Sequence, residues 1–235
     1  MKKLLLKNKD QMIKLIYFDF NFWRIDILRL SLGFSNISYD YVRVPREEWI
    51  NQKDNFPFGQ LPVMIVNNNK YAHTHSLAKF CAIQANLYDN DKFKSLIIDQ
   101  VLDWANEITN KIAPSIRAAM REKNIEKSKK LRKIFIKNDL FQWFGYLEKL
   151  FEKSSKNKQF FTDKFSIADI TAWRVIYWFW SGTLDQIKPD FLEKFPFLQK
   201  FFQIFLSKRL LRIYSFLRCK LSFRLVHHPN KLILC

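Results

Sequence analysis

The residue types and spacings that could do chemistry are concentrated in Phe56 to Leu77, FPFGQLPVMIVNNNKYAHTHSL. Pro62 follows Leu61 directly and opens the apolar run Val63-Met64-Ile65-Val66. The chain must therefore turn sharply into a buried strand, a setting that suits a cis proline. Such a turn leaves the N–H and C=O of Leu61 free, and a free strand edge can pair with an extended ligand as though it were one more strand. Asn67-Asn68-Asn69 tolerates positive φ, Lys70 to Thr74 is the expected return strand, and Ser76 is expected to cap a helix beginning at Leu77. A capped helix N-terminus attracts carboxylates, so the stretch suits a small peptide with an acidic end.

Asp99 and Asp103 stand four residues apart in IIDQVLDW. That spacing marks either a solvent-facing helix surface or one edge of a metal site, and with no His or third carboxylate nearby no metal is expected. Cys81, Cys219 and Cys235 are widely spaced, odd in number and in no CxxC pattern, which argues against a disulfide framework and for a reducing compartment.

These groups need elements to position them. Met12 to Phe18 alternates like a strand, Arg24 to Leu32 repeats apolar residues at helical spacing up to Gly33, and Ile37 to Val44 alternates again. The order is β-α-β, a charged loop to Asn55, then β-β-α. Residues 88 to 92 form a polar linker, beyond which Phe93 to Met120, Ile125 to Lys153, Ser166 to Trp180 and Phe197 to Tyr214 read as helices, with no strand among them. Ser166-Ile-Ala-Asp169 is a capping box, and Thr171 to Trp180 is so apolar that its helix must be buried.

With 48% hydrophobic residues and only 4 Gly and 7 Pro in 235 residues, the chain reads as compact and ordered. Its apolar run near the N-terminus is three leucines, too short for a signal-peptide core, and no stretch approaches a membrane span, so a cytoplasmic location is expected. A cysteine in last place leaves no room for a prenylation box. Of the formal net charge of +18, residues 1 to 14 carry +4, residues 121 to 140 carry +5 and residues 208 to 235 carry +7. The remainder is nearly neutral, and the basic ends serve as solvated surface or as contacts for an anionic membrane or nucleic acid.

Pro57-Phe58-Gly59-Gln60-Leu61-Pro62, KLIYF at 14 to 18, REEW at 46 to 49, His75-Ser76 and FSIAD at 165 to 169 together resemble glutathione transferases over roughly residues 12 to 214. The resemblance is closest to the sigma class that includes haematopoietic prostaglandin D synthase. It implies an α+β chain: a basic extension over 1–11, a thioredoxin-like glutathione-binding domain over 12–88, an all-α helical-bundle domain over 93–214 and a basic, apolar tail over 215–235. It implies glutathione as co-substrate, an apolar electrophile as second substrate and a homodimer. Tyr17 takes the place of the catalytic tyrosine, donating to the sulfur and lowering the thiol pKa.

By the same resemblance Arg24 lies near the sulfur, Trp49 and Lys53 near the glycine carboxylate, and Gln60, Leu61 and Pro62 along the peptide backbone. His75 and Ser76 lie at the γ-glutamyl carboxylate, and Asp103 reaches the ammonium from the partner subunit. Phe22, Trp23 and Trp104 are either walls of an apolar cleft between the halves or part of the core. The family's glutamine before the helix-start serine is histidine here, and the loop after Tyr17, DFNFWR, lacks the family's glycine. Conjugation of electrophiles is the leading reading. The alternatives are a glutathione-dependent isomerase or peroxidase of the prostaglandin D synthase type, and a non-catalytic binding or scaffold protein. His227-His228 in the tail reads as an exposed pair rather than a metal site.

Overall fold

The computed structural model describes residues 12–156, 158–206, 225–228 and 231–234. The 1–11 extension and most of the tail, with Cys219 and Cys235, lie outside the described residues. Strands β1 (Ile13–Phe18), β2 (Tyr39–Val44), β3 (Val63–Val66) and β4 (Asn69–Ala72) form one sheet in the order β2-β1-β3-β4. β1 runs parallel to β2 and antiparallel to β3. The parallel pair needs a crossover, which α1 (Trp23–Phe34) supplies, burying Ile25, Ile27 and Leu28 in the core. α2 (Arg46–Gln52) follows β2 where a charged loop was expected, a correction to the sequence analysis. The Leu61–Pro62 peptide bond ahead of β3 is cis, as the sequence suggests.

The β3–β4 hairpin corrects the expected bounds of the return strand. Asn67 and Asn68 both have positive φ, 49° and 65°, and Val66 pairs directly with Asn69. A two-residue turn of that hand matches the twist of its flanking strands. It ends β4 at Ala72, not Thr74, and α3 (Thr74–Gln84) begins three residues before the expected Leu77.

The second half is built on α4 (Lys92–Met120), whose first turn is capped by the Asp91 carboxylate accepting from the N–H groups of Phe93 and Lys94. The helix expected over Ile125 to Lys153 is α5 (Ile125–Phe135) and α6 (Phe141–Ser154), joined by one wide π turn at Ile136–Leu140. α7 (Ile167–Trp180) is buried along its length, as its apolar sequence requires, and α8 (Pro196–Leu206) packs on α6 and α7. The continuation to Tyr214 lies outside the described residues.

A second correction is a two-stranded hairpin in the tail, β5 (Leu225–His228) and β6 (Lys231–Leu234), where no strand was expected. In the sequence, Pro229-Asn230 supplies turn chemistry between two apolar runs. His227 and His228 belong to β5, opposite Leu232 and Lys231. Among the described residues no helix is long and apolar enough to cross a membrane.

The halves are joined through buried polar contacts. The indole of Trp23 on α1 donates to the Thr109 hydroxyl on α4 at 3.1 Å. Asp26 on α1 pairs with Arg174 on α7 and stands 3.8 Å from Arg29. Buried ion pairs of this kind fix one arrangement, since breaking them leaves an uncompensated charge.

Candidate active site

Tyr17 stands one residue before the end of β1 with its ring buried, in edge contact with Phe18 and Phe20. Burial pushes its phenol well above the ordinary tyrosine range, and the nearby Arg24 guanidinium offsets only part of that rise. Tyr17 therefore stays protonated at neutral pH and can donate a hydrogen bond to an anion. Arg24 stands in the first turn of α1 with its guanidinium over the Trp23 ring. The loop between them keeps both groups close despite its missing glycine.

Arg24 is also one wall of a cleft of about 450 Å³ lined by Gln60, Leu61, Pro62, His73, Thr74, His75, Asn106 and Asn110. The structure thus brings together five of the expected site residues: Arg24, Gln60, Leu61, Pro62 and His75. Neither backbone group of Leu61 is paired among the described residues. Beside it, α3 starts from His73, whose φ is 70° and whose side chain caps nothing. The N–H groups of Thr74, His75 and Ser76 have no partner among the described residues, and the Thr74 hydroxyl is buried and unpaired. A helix start left in this state can receive an anion, because its donors are free and the helix dipole favours negative charge.

Ser76 does not cap this helix. It stands on the third residue of α3 and lines a different groove, of about 600 Å³, with Phe58, Tyr71 and Phe80. The helix start is His73-Thr74, and the hydroxyl buried there is that of Thr74.

His75 ties α3 to α4. Its Nδ1 is 2.6 Å from Asp103 and its Nε2 3.2 Å from Asp99, and Asp99 also accepts from Lys79 and Tyr88 at 2.9 Å each. Burial would raise the Asp99 carboxyl, but those donors hold it below its ordinary value. One oxygen of Asp103 is therefore engaged within its own chain.

Trp49 and Lys53 do not line the cleft: Trp49 packs among Phe18 and Phe56, and Lys53 is exposed after α2. Two of the three candidate cleft walls belong to the core. Trp23 is fully buried, and Trp104 is buried with its indole donating to the Trp143 carbonyl. Phe22 is half-buried against Trp178, 4.9 Å between ring centres. Cys81 is no nucleophile, since complete burial pushes its thiol up to about 12.

The sequence reading missed His73, Thr74, Asn106 and Asn110. The first two were available by counting, because a two-residue turn within Asn67-Asn68-Asn69 fixes where β4 ends. The asparagines carry no local signal and are found only by packing α4 against the cleft.

Residues 109–215 match the family model for the glutathione S-transferase C-terminal domain. The chain is 30% identical over 191 residues to a glutathione S-transferase of Anopheles gambiae, covering 80% of this chain and 87% of that protein. It is 26% identical over 205 residues to glutathione S-transferase 2 of Manduca sexta, covering 84% and 92%. Among solved structures it resembles the monomeric glutathione S-transferase Na-GST-3 of the hookworm Necator americanus, with a TM-score of 0.70, 25% identity and coverage of 88% and 97%. A mixed four-stranded sheet followed by a helical half, the matched helical segment and a relative aligned along most of both chains give one result: this chain belongs to the glutathione S-transferase family.

Proposed function

We propose that this glutathione S-transferase activates the glutathione thiol in the cleft between the sheet and α4, in the manner of the sigma class, with Tyr17 as the donor that stabilises the thiolate. The observation that carries this reading is the convergence in one cleft of the unpaired Leu61 edge and the uncapped N-terminus of α3. The first suits a peptide backbone in extended form, and the second suits the γ-glutamyl carboxylate. Tyr17 is a neutral donor whose hydrogen bond is stronger to a thiolate than to a thiol, so it lowers the thiol pKa and keeps the nucleophile available. Arg24 adds positive charge on the same side.

In this reading His73 and Thr74 take the places first assigned to His75 and Ser76, and His75 positions the helix instead. Trp49 and Lys53 stay assigned to the glycine end, beyond the cleft described above. The active unit is a homodimer. The Asp103 oxygen that His75 leaves unpaired is available to the ammonium of a partner's glutathione, and exposed Phe58 and Tyr71 provide apolar surface for association. A sedimentation mass twice that of the 28.5 kDa chain is the expected result.

The test is the ultraviolet difference signal of thiolate in bound glutathione across pH, for the wild type and Tyr17→Phe. We expect a lowered thiol pKa in the wild type, its loss in Tyr17→Phe, and a fall in turnover of roughly 100- to 1000-fold with the fold intact. Glutathione bound without any pKa change would remove the chemistry and leave a binding protein.

A further inference from the structure

The outward face of α5 carries positive charge that nothing among the described residues answers. Residues 121 to 140 hold three acids, and each is already engaged: Glu122 with Lys127 at 2.7 Å, Glu126 with Lys129 at 3.0 Å and Asp139 with Lys111 at 3.3 Å. Arg132 is buried and turns inward, to the Ser115 hydroxyl at 2.8 Å and the Asp185 carbonyl at 3.1 Å. Arg121, Lys123, Lys130, Lys133 and Lys137 remain, all exposed and none with an acidic partner among the described residues.

The packing of α5 decides where these cations point. Ser128, Arg132 and Phe135 bury its inner side, and the Ser128 hydroxyl donates to the Ser115 carbonyl on α4 at 2.8 Å. Helical spacing then turns Lys130, Lys133 and Ile134 outward together, and Lys137 continues the line into the π turn. Ile134 keeps 53% of its surface in water with these lysines beside it. Long cationic side chains around one exposed aliphatic group suit a membrane surface, where the lysines reach the headgroups and the aliphatic group enters the acyl boundary. We propose that α5 docks on a bilayer containing anionic phospholipid, with Lys130, Lys133 and Lys137 on the headgroups and Ile134 in the interfacial layer.

A nucleic-acid backbone would answer the charge equally well, but three features favour lipid. Four of the five free cations are lysines, whose point charges suit fluid headgroups, whereas the guanidinium fork that grips phosphate with two bonds is present only in Arg121. α5 offers no ring for a base to stack on, since its one aromatic residue, Phe135, is buried. Ile134 gains by leaving water only where hydrocarbon receives it. None of these residues lines the glutathione cleft, so docking changes where the enzyme works and not how.

The experiment is sedimentation of the full chain with vesicles of phosphatidylcholine, alone or with about 30% phosphatidylserine, at about 0.15 M salt. Circular dichroism and an unchanged glutathione affinity check that each variant is folded. The wild type is expected to bind only the mixed vesicles, and less as salt is raised. The triple variant Lys130→Gln, Lys133→Gln, Lys137→Gln is expected to bind them roughly 100-fold more weakly, and Ile134→Ser roughly tenfold more weakly. A triple variant that binds like the wild type would move the attraction to the basic segments 1–14 and 208–235 and overturn the proposal. Unchanged binding by Ile134→Ser would overturn it as well, because the face would then be a general polyanion surface. A wild type that ignores both kinds of vesicle, or that prefers a single-stranded oligonucleotide to the mixed vesicles, would also overturn it.

Discussion

The N-termini of α3 and α7 are built in opposite ways. At α7 the donors of Ser166 and Ile167 have partners from the chain itself. The Ser166 N–H and hydroxyl and the Phe161 N–H reach Asp169, at 2.8, 3.1 and 2.9 Å, and the Ile167 N–H donates to the Leu87 carbonyl at 2.9 Å. At α3 the preceding residue caps nothing, three N–H groups are unpaired, and the Thr74 hydroxyl is buried without a partner. A helix end satisfied by its own chain contributes stability and has nothing left for a ligand. One left unsatisfied beside a cleft gives up that stability in return for a binding site.

Breaking the completed end should have the largest effect. Asp169→Ala strands three donors at a fully buried position and is expected to lower stability by about 3 kcal/mol, read as a lower urea midpoint, with no selective loss of glutathione affinity in the protein that remains folded. Thr74→Val is the converse. It replaces an unpaired hydroxyl by a methyl of the same shape, so stability should stay nearly constant, while glutathione affinity measured by calorimetry should fall about tenfold, or about 1.4 kcal/mol. Ser76→Ala in the same assay should leave affinity unchanged, and a loss there equal to that of Thr74→Val would restore the assignment first suggested by the sequence. Ser166→Ala should destabilise by about 1 kcal/mol, the usual effect of losing a cap.

The smallest effect is one of pH. Complete burial pushes the Asp169 carboxyl up to about 7, against the pull of its backbone and Ser166 donors. Its pKa is thus higher in the folded state than in the unfolded chain, and the proton it holds stabilises the fold most fully below the unfolded value near 4. That contribution falls as pH rises toward 7 and is lost above it. Between pH 7 and 8 the wild type should lose a few tenths of a kcal/mol, and Asp169→Asn, which cannot titrate, should show no such slope. The start of α3 has no buried carboxyl and should add nothing to it.

The comparison also shows how far the sequence can be read. The α7 cap was legible because Ser-x-x-Asp before an apolar run states its own geometry: both partners are local, three residues apart. The α3 start was not, because its position depends on which two of three consecutive asparagines make the turn. A slip of that size moved the expected helix start from Thr74 to Leu77. The turn at Leu61-Pro62, with its cis peptide bond, was legible from adjacent residues. The break of the long helix at Ile136–Leu140 and the tail hairpin escaped a reading based on periodicity.

What the sequence determined by itself is what rests on near neighbours: the strand order along the chain, the turn at Pro62, the α7 capping box and the apolar α7 core. Hydrophobic period, turn chemistry and caps act over a few residues, so one chain states them without help. The tertiary structure decided what depends on distant segments meeting. It withdrew Trp23 and Trp104 into the core, tied Asp103 to His75 across 28 residues, and set Asn106 and Asn110 opposite Leu61 and Thr74. No local pattern encodes those encounters, because each follows from how α4 packs against segments distant in the chain.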